Sequence, residues 1–256
     1  MITNNNLNSV RKRNNSQEQS HYEKDNVVTA ILVDGGFYRK RVKSVYGDLS
    51  PKEFADKLEK YCKRHLSEKM GTTYYSHTLY RIFYYDCKPT DMVVYHPYTK
   101  TDINLKNTDV YSWTIELFNE LRKRRKFALR LGELSVPTTA YKLSNDKVKA
   151  LFTGKLSIDD ITEDDFILDI GQKGVDMKIG VDIASLSFKK QVNQIVLIAG
   201  DSDFVPAAKL ARREGVDFIL DPLGAKVKDS LFEHIDGLNT VSDEFKRNYK
   251  NDKKLI

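Results

Sequence analysis

The strongest constraint on this chain is a set of short apolar runs, each of which ends at an aspartate. Val27–Val33 (V-V-T-A-I-L-V) runs into Asp34, and Thr78–Tyr85 into Asp86. Gln194–Ala199 runs through Gly200 into Asp201, and Val216–Leu220 into Asp221. Such runs lack the polar alternation of half-exposed strands and are rich in β-branched residues. They therefore suit strands buried on both faces, as in a parallel sheet. Between them the apolar spacing becomes helical. Residues 51–69 place Phe54, Leu58, Tyr61, Cys62 and His65/Leu66 on one face, with Ser50 as N-cap and Pro51 in the first turn. Trp113–Lys126 reads as a helix with Trp113, Leu117, Phe118 and Leu121 inward, and further helices are expected from Gly174, over Val205–Glu214 and over 226–236. Strands alternating with helices predict an α/β fold with an open, mainly parallel sheet.

The flanks of this pattern differ from it. Residues 1–25 are Asn, Ser, Gln and charge, including Arg11, Lys12 and Arg13, and are expected to be a disordered arm. The core domain is expected over 26–240. Within it, 87–172 is less regular and reads as an insertion carrying a helix and a pair of strands (127–136 and 166–173). Residues 241–256 form a basic tail. The whole chain carries a formal charge of +6, compatible with a polyanionic partner without requiring one. Cys62 and Cys87 lie in no Cys-x-x-Cys pattern and are expected as reduced thiols. No apolar run reaches the roughly 18 residues of a membrane span, and the N-terminus lacks a signal-peptide core. The expectation is a cytoplasmic protein without a membrane partner.

Four aspartates carry the chemistry: Asp34, Asp176 in K-G-V-D, and Asp201 and Asp203 in A-G-D-S-D-F. Ligands in open α/β sheets bind at the carboxyl ends of the strands, where these residues converge. A single aspartate after a strand is commonly a helix cap or turn residue. Four of them on three separate segments are more than capping requires. Gathered carboxylates repel one another unless a cation joins them. Oxygen donors favour Mg²⁺ or Mn²⁺, which orients water and stabilises charge on a phosphodiester. Asp182, six residues after Asp176, lies about 120° round the helix and is placed at the edge of the site. Asp86 is expected on the same rim.

The motifs Asp34-Gly35-Gly36-Phe37, Lys173-Gly174-Val175-Asp176, Asp182 and Gly200-Asp201-Ser202-Asp203-Phe204 resemble the NYN domain family (LabA-like), a branch of the PIN-like nuclease superfamily. The resemblance runs over roughly residues 27–240. It implies a three-layer α/β/α fold and metal-dependent cleavage of RNA. It carries the family's acidic roles, catalytic and metal-binding, to Asp34, Asp176, Asp201 and Asp203, with Asp182 as a further ligand. Many members place an Asn three residues after the first Asp, where this chain has Phe37. Lys173, Arg39, Arg41, Arg124 and Arg125 are candidates to meet the RNA backbone, although the last two also suit a helix C-terminus. Tyr84, Tyr85, Tyr95 and Tyr98 are candidates to stack on bases. RNA, single-stranded or structured, is the expected partner, with homodimerisation allowed.

Three functions compete. The first is a divalent-metal endoribonuclease. The second is a catalytically silent RNA-binding or regulatory module on the same fold. The third, a phosphatase of the haloacid dehalogenase type, ranks last: its nucleophile motif needs a second Asp where this chain has Gly36.

Overall fold

A computed structural model of the protein describes residues 27–246 except 71, 72, 136, 138 and 139. The expected N-terminal arm and residues 247–256 of the expected tail lie outside the described residues. In chain order, β1 (Val28–Asp34) leads to α1 (Gly35–Tyr46) and α2 (Pro51–Arg64). A hairpin of β2 (Ser67–Met70) and β3 (Thr73–Ser76) precedes β4 (Thr78–Cys87). A second hairpin, β5 (Val93–His96) and β6 (Thr101–Asn104), precedes α3 (Asp109–Arg122) and β7 (Phe127–Ser135). Next come β8 (Tyr141–Leu143), α4 (Asn145–Phe152), β9 (Phe166–Leu168) and β10 (Gly171–Lys173). The chain then forms α5 (Val175–Phe188), β11 (Gln194–Ile198), α6 (Val205–Arg213), β12 (Asp217–Asp221), α7 (Asp229–Phe232) and β13 (Gly237–Leu238).

The central sheet has the order β10-β7-β4-β1-β11-β12-β13. Every neighbouring pair in it is parallel except β10 with β7. The apolar runs explain why it is buried on both sides. Side chains alternate across a strand. Ala30 and Leu32 of β1 face Val175, Ile179, Ile183 and Ala208 of α5 and α6. Ile31 and Val33 face Tyr38, Leu58, Leu117 and Phe118 of α1, α2 and α3. The result is three layers, α/β/α. Burying each large aliphatic side chain this way is worth roughly 1.5–3 kcal/mol.

Capping residues set the helix starts. Asp34 caps α1 and Ser50 caps α2 in a reciprocal box with Glu53. Gly174 caps α5 in the left-handed conformation, φ 78°, which glycine adopts without strain.

Some expected boundaries move. Helix α2 ends at Arg64, not 69, and Ser67–Met70 is a strand paired with Thr73–Ser76. The last turn tightens as His65 N–H bonds back to the Cys62 carbonyl, and the His65 ring is drawn to Asp221, Nε2 to Oδ2 2.9 Å. Helix α3 starts earlier, capped by Thr108, and ends at Arg122. The expected helix over 226–236 shrinks to Asp229–Phe232, because the Asp236 carboxylate is engaged by Phe218 N–H at 2.9 Å and Arg212 Nε at 2.8 Å. Within 87–172, α3 and β7 belong to the main layers, since β7 pairs in parallel with β4. The expected strand pair divides: Gly171–Lys173 pairs with Glu133–Ser135, whereas Phe166–Leu168 pairs with Tyr141–Leu143. Gly132 permits the first pairing, because a Cβ there would lie 2.6 Å from the Lys173 carbonyl oxygen. Among the described residues, no helix is long and apolar enough to cross a membrane.

Candidate functional site

The sheet order defines where a site can form. From β1 the chain moves outward through β4 to β7, then returns to the other side of β1 as β11. The helices after β1 and β11 lie on opposite faces of the sheet. Their divergence opens a crevice at the carboxyl ends of these two strands, the switch point where doubly wound sheets bind ligands. Asp34 ends β1, and Asp201 follows β11 after the two residues Ala199 and Gly200. Asp203 sits in the single 3₁₀ turn Ser202–Phe204, and Asp176 in the first turn of α5.

Electrostatics ties the four together. Asp34 is half-buried and its Oδ1 accepts a hydrogen bond from Phe37 N–H at 3.1 Å. Burial nevertheless raises its pKa to about 6, with repulsion from Asp176 and Asp86 adding to the rise. Asp176 is exposed at the residue level, yet its pKa is also raised, first by desolvation and then by Asp201 and Asp203. The Asp201 carboxylate folds back to accept Asp203 N–H at 3.1 Å. The carboxylates thus act on one another without closing up. Among the described residues, no three His, Cys, Asp or Glu side chains stand close enough to grip one ion between them. An all-oxygen, anionic and partly exposed donor set still fits a hard cation such as Mg²⁺, which keeps several waters and needs only one or two direct carboxylates.

Other candidates are placed elsewhere. Asp182 Oδ2 is shared between the Tyr85 hydroxyl and Arg130 Nε, both at 2.8 Å, so its charge is already matched. Arg39 donates Nη2 to Asp86 Oδ1 at 2.8 Å, and Asp86 is fully buried. Arg41 donates to the Leu223 carbonyl at 3.1 Å. Arg124 is clamped by Asp56, at 2.7 Å, and Glu59 of α2. Arg124 and Arg125 precede β7, at the end of the sheet opposite the acidic rim. Lys173 is exposed and stands directly before the turn into α5. Tyr84 and Tyr85 are fully buried core residues, whereas Tyr95 and Tyr98 are exposed on or beside the second hairpin. Cys62 and Cys87 are free and buried.

Two features escape a reading of the motifs alone. A Cβ at Gly36 would lie 3.3 Å from Gln172 Nε2 and 3.5 Å from Asp34 Oδ1, so the Gln172 amide and the Asp34 carboxylate share the space over Gly36. Gln172 arrives on β10, a three-residue strand with no apolar pattern. In addition, a Cβ at Gly200 would lie 2.5 Å from Phe37 Cε2. The Phe37 ring therefore covers the Gly200 backbone and packs the first turn of α1 against the loop that carries Asp201.

Residues 114–232 match the model of the NYN domain. That span is narrower than the expected 27–240; it contains Asp176, Asp201 and Asp203 but not Asp34. Among curated proteins, none matches. Among solved structures, a protein of unknown function from Vibrio parahaemolyticus is similar at 13% identity with a TM-score of 0.44, covering 87% of this chain and 97% of its own.

Proposed function

The chain carries an NYN domain, from the PIN-like nuclease superfamily, and on that premise we propose that it is a divalent-metal-dependent endoribonuclease. The observation that carries the reading is the placement of Asp34, Asp176, Asp201 and Asp203 around the carboxyl ends of β1 and β11 and the start of α5, the switch point of the sheet. Carboxylates gathered there repel one another, and a bound cation relieves that repulsion. One or two of Asp34, Asp176, Asp201 and Asp203 would hold Mg²⁺ or Mn²⁺ directly, and the others would bond to the waters it keeps. When bound, the ion supplies Lewis-acid stabilisation of charge on the phosphodiester oxygens.

The chain's own residues do the rest. Asp34, ionised once the ion is bound, would accept a hydrogen bond from the attacking water and orient it, the water's proton passing to solvent. As the new phosphorus–oxygen bond forms, the bond to the leaving ribose oxygen breaks, and that oxygen is protonated from solvent. The Gln172 amide, which shares the space over Gly36 with Asp34, would orient the water or a phosphate oxygen in the role that the family's frequent Asn suggests. Exposed Lys173 lies beside the same rim and attracts the backbone. The buried free thiols of Cys62 and Cys87 agree with a reducing, cytoplasmic setting.

The test is Asp201→Asn combined with Asp203→Asn, assayed on unstructured RNA with Mn²⁺ or Mg²⁺. Cleavage by the wild type and its loss in the double variant supports the reading; full activity in the double variant overturns it. The silent RNA-binding alternative is favoured by Phe37 in the Asn position and by the open spacing of the carboxylates. Wild-type protein that binds RNA but never cuts it with either ion would establish that alternative.

A further inference from the structure

Helix α5 is apolar on two opposite faces. Val175, Ile179, Ile183 and Leu186 are buried against the sheet. At about 100° per residue, Met177, Val181, Ala184 and Phe188 fall on the other side of the helix, within about 60° of one another. A helix with one buried face ordinarily turns polar residues to solvent on the opposite one. Among the described residues nothing covers this second stripe: Met177 is 74% exposed, Val181 60% and Phe188 58%. Gly180 edges it, and a Cβ there would meet no atom within 4 Å. Glycine weakens a helix interior relative to alanine, and no contact inside the molecule requires it here. The open space instead lets a second backbone approach closely, since the distance between packed helix axes follows the side chains at the contact.

We propose that the outer face of α5 is the contact between two copies of this chain, packed antiparallel about a two-fold axis that passes between Val181 and Ala184. The stripe is complementary to its own reverse. That axis sets Met177 opposite Phe188 of the second copy, a sulfur–aromatic pair, and Val181 opposite Ala184. Bulky residues thus meet at the two ends and smaller ones, with Gly180 beside them, at the middle. Charge agrees with the direction. The helix start carrying Asp176 comes beside the helix end followed by exposed Lys189, whereas parallel packing would set like ends together. Residues 1–26 and 247–256 are mostly Asn, Ser, Gln and charge, so the chain's own ends offer a poorer apolar cover than a second α5. A contact of two 14-residue helices, each about 21 Å long, lies at the small end of specific interfaces, so the dimer is weak, with micromolar affinity. It is independent of any chemistry at the acidic rim.

Sedimentation equilibrium of the wild-type protein from about 1 to 300 µM reads the association directly. The expected result is a reversible monomer–dimer equilibrium. Val181→Glu, at an exposed position, is expected to leave only monomer over that range, with an unchanged melting temperature at the lowest concentration. Gly180→Ala is expected to raise the melting temperature of the monomer and yet weaken the dimer on the order of 10-fold. The direction of packing is read by mixing Met177→Cys and Phe188→Cys proteins with a short bis-maleimide, Cys62 and Cys87 being buried. Covalent dimers are expected between the two variants. A wild type that stays monomeric throughout, a dimer that survives Val181→Glu or is unchanged by Gly180→Ala, or crosslinks formed only between identical variants overturns the proposal, whatever the outcome of the cleavage assay.

Discussion

Two strands apart in one sheet, β1 and β12 both end in an aspartate, and the two residues have opposite fates. Asp221 is completely buried and completely satisfied. Its Oδ1 accepts Leu223 N–H at 2.8 Å and the Thr240 hydroxyl at 2.9 Å, and its Oδ2 meets the Tyr61 hydroxyl and His65 Nε2. Those bonds also hold Leu223 at φ 49°, a left-handed conformation that a leucine adopts only under constraint. Asp34 accepts only from backbone N–H groups of its own helix start, chiefly that of Phe37, and has two acidic neighbours and a raised pKa. The same residue type at the same end of the same sheet is fully hydrogen-bonded where donors surround it and left with a raised pKa where burial and carboxylates do. What separates the two is the company brought in by distant segments.

The comparison can be broken at either end. The largest expected effect is on chemistry: Asp201→Asn with Asp203→Asn lowers cleavage on the order of 1000-fold. Its melting temperature stays equal or rises, because the repulsion on Asp176 is relieved. Asp221→Ala should do the reverse. It strands several buried donors and costs roughly 3 kcal/mol in urea unfolding, while residual folded protein keeps its cleavage rate.

Next in size is a pH effect specific to Asp34. Its folded pKa, about 6, exceeds the unfolded value of 3.8, so the folded state holds the extra proton between them. Its contribution to stability is therefore fullest below the unfolded value and is lost as pH rises through about 6. A bound divalent ion favours the ionised form and offsets that loss. The rise in melting temperature on adding Mg²⁺ should accordingly be small at pH 5 and larger at pH 7.5. Equal rises at both values would exclude Asp34 from the ion site.

The smallest effect tests how the site is braced. Gly200→Ala drives a methyl into the Phe37 ring and should cost about 1–3 kcal/mol. Adding Phe37→Ala should return part of that loss, with a coupling of about 1 kcal/mol in a double-mutant cycle.

The strands were legible because their signal is local: an uninterrupted run such as Ala30–Val33 has few other homes than a two-faced core. The acidic segments were legible for the same reason, each being a short motif at a strand or helix end. What was not legible depends on partners far along the chain. Nothing near residue 65 announces that helix α2 must stop there so that His65 can reach Asp221, 156 residues on. Nothing near Arg39 reveals that its guanidinium is committed to Asp86, or near Arg124 that α2 captures it. Gln172 was invisible because β10 is an edge strand of three exposed residues, and only its pairing with β7 brings the amide over Gly36.

The contact between Phe37 and Gly200 also limits how such a chain can change over generations. While the ring is present, position 200 admits no side chain; while position 200 is glycine, removing the ring leaves a hole under the loop that carries Asp201. Neither position has a neutral single step away from the present pair. A lineage that placed Asn at position 37 would first have to find another way to fasten that loop, so the aromatic residue and the glycine constrain each other.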